Sequence, residues 1–154
     1  MLRHPSLQPL SRQHHHALAL CVLVERALHE GNAGAAQLAR QIREHWQREL
    51  RPHFRLEEEI LLPCLERELG PWDLCRRILD EHRELERRAR ALGPSPQEDE
   101  LRAFTALLRS HVRLEENELF EQIQARLSAP ALERLGSALA AAGGPACPNR
   151  GISE

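Results

Sequence analysis

Two stretches of this 154-residue chain repeat one another. His53-Phe54-Arg55-Leu56-Glu57-Glu58 and His111-Val112-Arg113-Leu114-Glu115-Glu116 share the histidine, the arginine, the leucine and both glutamates. On a helix, residues four apart lie on one face a turn from each other, so His53 with Glu57 can close on one metal ion, and His111 with Glu115 can do the same. Each copy offers one imidazole and one carboxylate. Facing each other across a bundle, two such pairs can build a carboxylate-bridged two-metal site.

The elements that must position these residues follow from apolar stripes at three- and four-residue spacing. Ser11 is placed to cap a first helix running to about Glu30, with Gly31-Asn32 as its stop. Its stripe reads His14, Ala17, Cys21, Val24, Leu28. Within His14-His15-His16 this register selects His14; a slip of one position would bring in His15 instead. A second helix, from near Gly34 to about Leu69, carries Ile42, Trp46, Leu50, His53, Glu57, Leu61 and Cys64 on one face. Pro52 cannot donate to the carbonyl of Arg48, so a kink or short break is expected just before His53, and Pro63 should act likewise. Gly70-Pro71 ends that helix. The third helix has the stripe Cys75, Ile78, His82, Leu85, Ala89, Leu92. Gly93-Pro94-Ser95-Pro96 leads into the fourth through a capping box from Ser95 to Glu98, with Pro96 at the first helical position. Its inward face reads Leu101, Phe104, Leu108, His111, Glu115, Leu119, Ile123. A last short helix is expected from Pro130 to about Ala142.

Four helices with short connections favour an all-α, up-down-up-down bundle, in which residues equally far from a turn lie at equal height. With the first turn near residue 33, His14 lies roughly 19 residues before it and His53 roughly 20 after it. At about 1.5 Å per residue they are level. The same counting brings His82 and His111 to the height of Glu57, so six potential ligands converge on one layer: His14, His53, Glu57, His82, His111 and Glu115. Leaving two carboxylates in an apolar layer without cations costs several kcal/mol each, a large part of a domain's net stability of about 5–15 kcal/mol. A metal removes that cost. Glu58 and Glu116, one step round the helix, are either contacts to the ligands or ordinary surface charges. The expected organisation is one domain over residues 1–142, with a core at 10–127, the short extra C-terminal helix, and a disordered tail at 143–154.

Composition narrows the chemistry. The formal net charge is −2, and the basic residues are interspersed with acidic ones, so no stripe is available for a nucleic-acid backbone. Every basic side chain is arginine, which removes lysine Schiff-base chemistry, and the absence of tyrosine removes a tyrosyl radical. Neither a leader peptide nor a membrane span is expected, which places the protein in the cytoplasm. Cys21, Cys64, Cys75 and Cys147 have no C-x-x-C spacing and read as small apolar residues rather than ligands.

With these residues in place the chain resembles the hemerythrin-like, or HHE cation-binding, family. The resemblance covers about residues 10–127. It rests on the N-terminal histidine cluster, the two His-x-x-x-Glu-Glu stretches, Leu61-Leu62-Pro63 after the first, and Glu81-His82 on the third helix. It implies a four-helix bundle with a non-haem di-iron centre, in a family whose members bind oxygen or nitric oxide, sense iron or oxygen, or take part in repair of iron centres. Oxygen-carrying members have a second histidine four residues from that of the third helix; here those positions are Ile78 and Glu86, so a five-histidine site is not expected. Repair-type members share the set of four histidines and two glutamates but usually carry a separate cysteine-containing N-terminal domain, which is not expected here.

Such ligands suit iron, manganese or zinc. With both glutamates bridging two iron ions, and an oxide or hydroxide between them, octahedral coordination leaves room for a small diatomic ligand. Neutral imidazoles outnumber carboxylates, which favours reversible binding or redox response over chemistry needing highly oxidised iron. The leading expectation is a protein that binds or senses oxygen, nitric oxide or iron. The rivals are a di-iron enzyme consuming peroxide or reducing nitric oxide, and a zinc-stabilised helical adaptor.

Overall fold

Spaced apolar residues and glycine stops divide the chain into helices much as their periodicity dictates. The computed structural model describes residues 2–31 and 33–143. Among these there are five helices and no strand: α1 (Gln8–Glu30), α2 (35–69), α3 (Asp73–Ala91), α4 (98–126) and α5 (Ala129–Gly143). Gly31 ends α1 at φ 66°, in the left-handed region where a side chain is penalised, and its N–H reaches the carbonyl of Ala27. Gly70, at φ 78°, makes the corresponding stop for α2.

Three boundaries differ from the expectation. The first helix starts at Gln8 rather than after Ser11, because Leu7 and Leu10 are fully buried and extend the apolar stripe backwards, with Pro9 accommodated in the first turn. Ser11 caps nothing; its hydroxyl donates to Glu116 Oε2 at 3.1 Å. The fourth helix is capped by Gln97 and not by Ser95. The Gln97 side chain accepts the Glu100 N–H, and the Glu100 carboxylate accepts the Gln97 N–H at 3.2 Å. The last helix runs from Ala129 through Gly143, so it outlasts Ala142. The expected disordered tail, with Cys147, otherwise lies outside the described residues.

Neither Pro52 nor Pro63 breaks α2. A π-helical turn precedes each, at Trp46–Leu50 and at Glu57–Leu61. In the first, the Arg51 N–H reaches back to Trp46; in the second, the Leu62 N–H reaches back to Glu57. The wider turn shifts the ladder by one residue just where proline supplies no donor, and the helix resumes. A third π turn, Glu115–Leu119, follows the second His-x-x-x-Glu stretch in α4 without any proline.

Two apolar clusters lie along the helices. One takes Val24 and Leu28 of α1, Ile42 and Trp46 of α2, Leu85 and Ala89 of α3, and Phe104 and Leu108 of α4. The other takes Leu10 of α1, Leu61 and Leu65 of α2, Ile78 of α3, and Phe120 and Ile123 of α4, and it is covered by Leu132, Leu135 and Leu139 of α5. On each of the first four helices the buried histidine lies between a residue of one cluster and a residue of the other: Leu10-His14-Ala17, Leu50-His53-Leu61, Ile78-His82-Leu85, Leu108-His111-Leu119.

Phe104 is wholly buried in the first cluster. Replacing it by alanine should lower the unfolding free energy by about 3–5 kcal/mol in urea titrations. Leu23→Ala, at a residue 46% exposed, should change it by no more than about 0.5 kcal/mol.

Candidate metal centre

The layer between the two apolar clusters contains His14, His53, Glu57, His82, His111 and Glu115, none more than 3% exposed. Their ligand-capable atoms fall into two groups. One takes His14, His53, Glu57 and Glu115; the other takes Glu57, His82, His111 and Glu115; within each, the atoms lie within 4.8 Å of one another. Each group has a pair of imidazoles, and the same two carboxylates belong to both. His14 Nε2 is 3.0 Å from Glu115 Oε2, His111 Nε2 is 2.8 Å from Glu115 Oε1, and His82 Nε2 is 3.4 Å from Glu57 Oε2. His53 Nε2 closes on Glu57 Oε1 within its own helix, four residues on.

These approaches lack the alignment of satisfied hydrogen bonds. Both oxygens of Glu57, both oxygens of Glu115, and the Nε2 atoms of His82 and His111 are buried without a hydrogen-bond partner. His14 Nε2 and His53 Nε2 face each other at 3.1 Å. Orphaned acceptors and imidazole nitrogens turned toward a common centre are costly unless a cation is shared among them. The donor set fits a pair of divalent ions.

The other nitrogen of each imidazole is held from outside, and the holders form a closed ring. Gln13 Oε1 of α1 accepts from His53 Nδ1 of α2. Glu58 of α2 accepts from His82 Nδ1 of α3 at 2.9 Å. Glu81 of α3 accepts from His111 Nδ1 of α4 at 2.9 Å. Glu116 of α4 accepts from His14 Nδ1 of α1 at 2.9 Å, which closes the circuit. An acceptor at Nδ1 keeps the proton there and leaves Nε2 free to coordinate. Ring stacking adds orientation: Phe54 lies on His82 at 3.9 Å between centroids, and Phe120 on His14 at 5.4 Å.

The hemerythrin HHE cation binding domain matches residues 7–123, which run from the start of α1 to within its partner helix α4. The chain belongs to that family. Comparison with curated proteins and with solved structures gives no match. As a hemerythrin HHE domain the chain is a cation-binding protein, and the two His/Glu groups are where its described residues can hold metal. No helix among them is long and apolar enough to cross a membrane.

All six residues singled out from the sequence of this hemerythrin-like chain are brought into one buried layer. The N-terminal register resolves to His14, since His15 and His16 are exposed. His16 instead meets Glu49 at 3.0 Å on the surface, and His45 meets the same carboxylate at 2.8 Å. Glu58 and Glu116, open between two roles in the sequence, both contact a layer imidazole. Gln13 and the orienting role of Glu81 were not anticipated. A signal existed in adjacency: each precedes a layer histidine, as Glu58 and Glu116 each follow a layer glutamate.

Without metal the carboxylates draw protons onto the imidazoles. Burial opposes the charged form of His14, but Glu115 and Glu116 outweigh it and raise the group to about 10. For His82, burial is outweighed by Glu115, Glu57 and Glu58, raising it to about 11. For His111, burial is outweighed chiefly by Glu115 and Glu81, raising it to about 9. Glu115 feels burial in the opposite sense, yet His111, His14 and His82 keep it well below the usual carboxylate range. Raised histidines stabilise the metal-free fold fully below their ordinary value of 6.5, and that contribution disappears as pH rises through about 9 to 11. The lowered Glu115 contributes above its ordinary 4.5 and loses that contribution as pH falls.

Thermal melts of chelator-stripped protein should therefore show Tm falling steadily from about pH 6.5 toward pH 10. Metal must displace the same protons, so its affinity should rise over that range. A flat Tm between these limits rejects the protonated-imidazole account.

Proposed function

We propose that this hemerythrin-like chain is an up-down-up-down four-helix bundle, one domain over residues 1–142, that holds two iron ions and binds a small diatomic molecule, oxygen or nitric oxide, beside them. The proposed ligands are His14, His53, Glu57, His82, His111 and Glu115. The observation that carries the reading is the membership of Glu57 and Glu115 in both groups of ligand atoms. Two buried carboxylates common to two pairs of imidazoles suit a bridged pair of ions better than a single one. The placement of each buried histidine between the same two apolar clusters supports the alternating topology.

Iron bound by such ligands supplies redox activity and open coordination positions. The chain's own contribution is orientation and exclusion. The ring of Gln13, Glu58, Glu81 and Glu116 aims four Nε2 atoms inward. A cavity of about 10 Å³ lies against His14, His53 and His111, walled by Ala17, Leu50, Phe54, Leu108 and Val112, with Gln13 and Glu49 at its polar side. It is about the size of one water molecule. So small a space beside the layer favours a small ligand over a bulky substrate. The proposed partner is accordingly a small ligand and not a nucleic acid, and free thiols at Cys21, Cys64 and Cys75 favour the reducing cytoplasm.

Anaerobic reconstitution with ferrous iron should give about two irons per chain, then a visible charge-transfer absorption on exposure to air. Nitric oxide should bind the reduced protein. One equivalent of iron with no optical change, or retention of zinc alone, overturns the reading and leaves a structural role. Sustained consumption of added peroxide would transfer the protein to the enzyme class.

Side-chain replacement tests the ligand set separately. His14→Ala should lower iron content sharply and His16→Ala should leave it unchanged, as measured by elemental analysis after desalting. Equal losses would reject the assignment of His14.

A further inference from the structure

Beside the metal layer, with His82 in its lining, a cleft of about 170 Å³ opens between α2 and α3. Arg51, Arg55 and Glu58 approach it from one face of α2 at four- and three-residue spacing, and Arg83 and Glu86 from one face of α3. Its carboxylates are already engaged: Glu58 by His82 Nδ1 at 2.9 Å, and Glu86 by Arg90 at 2.8 Å. Its cations are not. Arg83 has only a 3.6 Å approach to exposed Asp80, and the side chains of Arg51 and Arg55 have no ion pair or hydrogen bond among the described residues.

One wall of the cleft is the ring of a buried tryptophan. Trp46 is 3% exposed, and its indole Nε1 is buried out of reach of the cleft. Half-buried Arg51 carries a charge without a counter-charge. The unpartnered side chains that open onto the cleft, Arg51 and Arg55, are both donors. The complementary ligand must present acceptors and negative charge.

We propose that this cleft is a binding site for a small molecule carrying an oxyanion, a carboxylate or a phosphate group. Arg51 and Arg55, on one face of α2, can meet its oxygens with planar forks. The rings of Trp46 and Phe54 form the apolar wall for the rest of the ligand. The site backs directly onto the metal layer: Phe54 stacks on His82, and Glu58 accepts from the same imidazole. An occupant thus sits behind a proposed metal ligand without touching the metal. The site stands on the arginines and does not depend on which ion the layer holds.

Isothermal titration calorimetry on the full chain, with inorganic phosphate in one arm and succinate in the other at constant ionic strength, tests this. At least one anion should bind saturably at one per chain, the tighter one assigning the ligand class. The Arg51→Gln/Arg55→Gln double variant should bind about tenfold more weakly or worse. Arg12→Gln, at an exposed arginine outside the cleft, should bind as the parent does. Far-UV circular dichroism checks that each variant is folded. Absence of saturable binding in both arms overturns the proposal, as does unchanged affinity in the double variant or an equal loss in Arg12→Gln.

Discussion

Glu57 and Glu115 are fully enclosed, and neither carboxylate finds a hydrogen-bond donor in good alignment. A charge so placed must be matched by positive charge within a few ångströms or the fold cannot carry it. In this chain protons on the surrounding imidazoles or metal ions can supply the match, and the two compete for the same Nε2 atoms. That competition shapes much else: why histidines on four different helices reach one level, why the apolar interior is divided into two clusters, and why a second circle of acceptors is needed to keep the imidazoles facing inward.

The repeated stretches achieve this twice by the same local means. His53 and Glu57, like His111 and Glu115, are brought together by one turn of helix, and a π-helical turn begins at each glutamate. The turn leaves Leu61 and Leu119 fully buried immediately beyond the layer. The likeness between the two stretches therefore extends past the residues that are identical in sequence. α1 and α3 each contribute a single histidine, preceded by the residue that orients the imidazole of the next helix, Gln13 for His53 and Glu81 for His111, so the first and second halves of the helical layer are built on a common plan.

What could be read from the sequence was what periodicity controls. The stripe through Ala17, Cys21 and Val24 chose His14 from three adjacent histidines, and its burial against exposed His15 and His16 agrees with that register. Helix ends were less legible where several residues could cap: Ser11 and Ser95 had suitable side chains, but buried Leu7 and the reciprocal Gln97–Glu100 pair decided the outcome. Pro52 and Pro63 correctly marked disturbed hydrogen bonding, yet the chain widened its turn instead of breaking. The outer ring was hidden for a different reason. Whether Glu58 faces water or an imidazole depends on the angle between neighbouring helices, and no pattern along a single helix encodes that angle. The arginines of the α2–α3 cleft were obscured in the same way, since among so many charged residues only spatial placement separates those with partners from those without.

The ring of outer acceptors is not uniform. His82 and His111 lean on Glu58 and Glu81, whereas His14 and His53 lean on Glu116 and an uncharged amide, Gln13. Arg77 offsets part of the charge on Glu81, and Arg3 part of that on Glu116, so these cations do not cancel the imbalance. One half of the layer thus has an extra negative charge behind its imidazoles, which makes them stronger electron donors. Ions seated here would meet unequal donors, because a single amide stands where its three counterparts are acids.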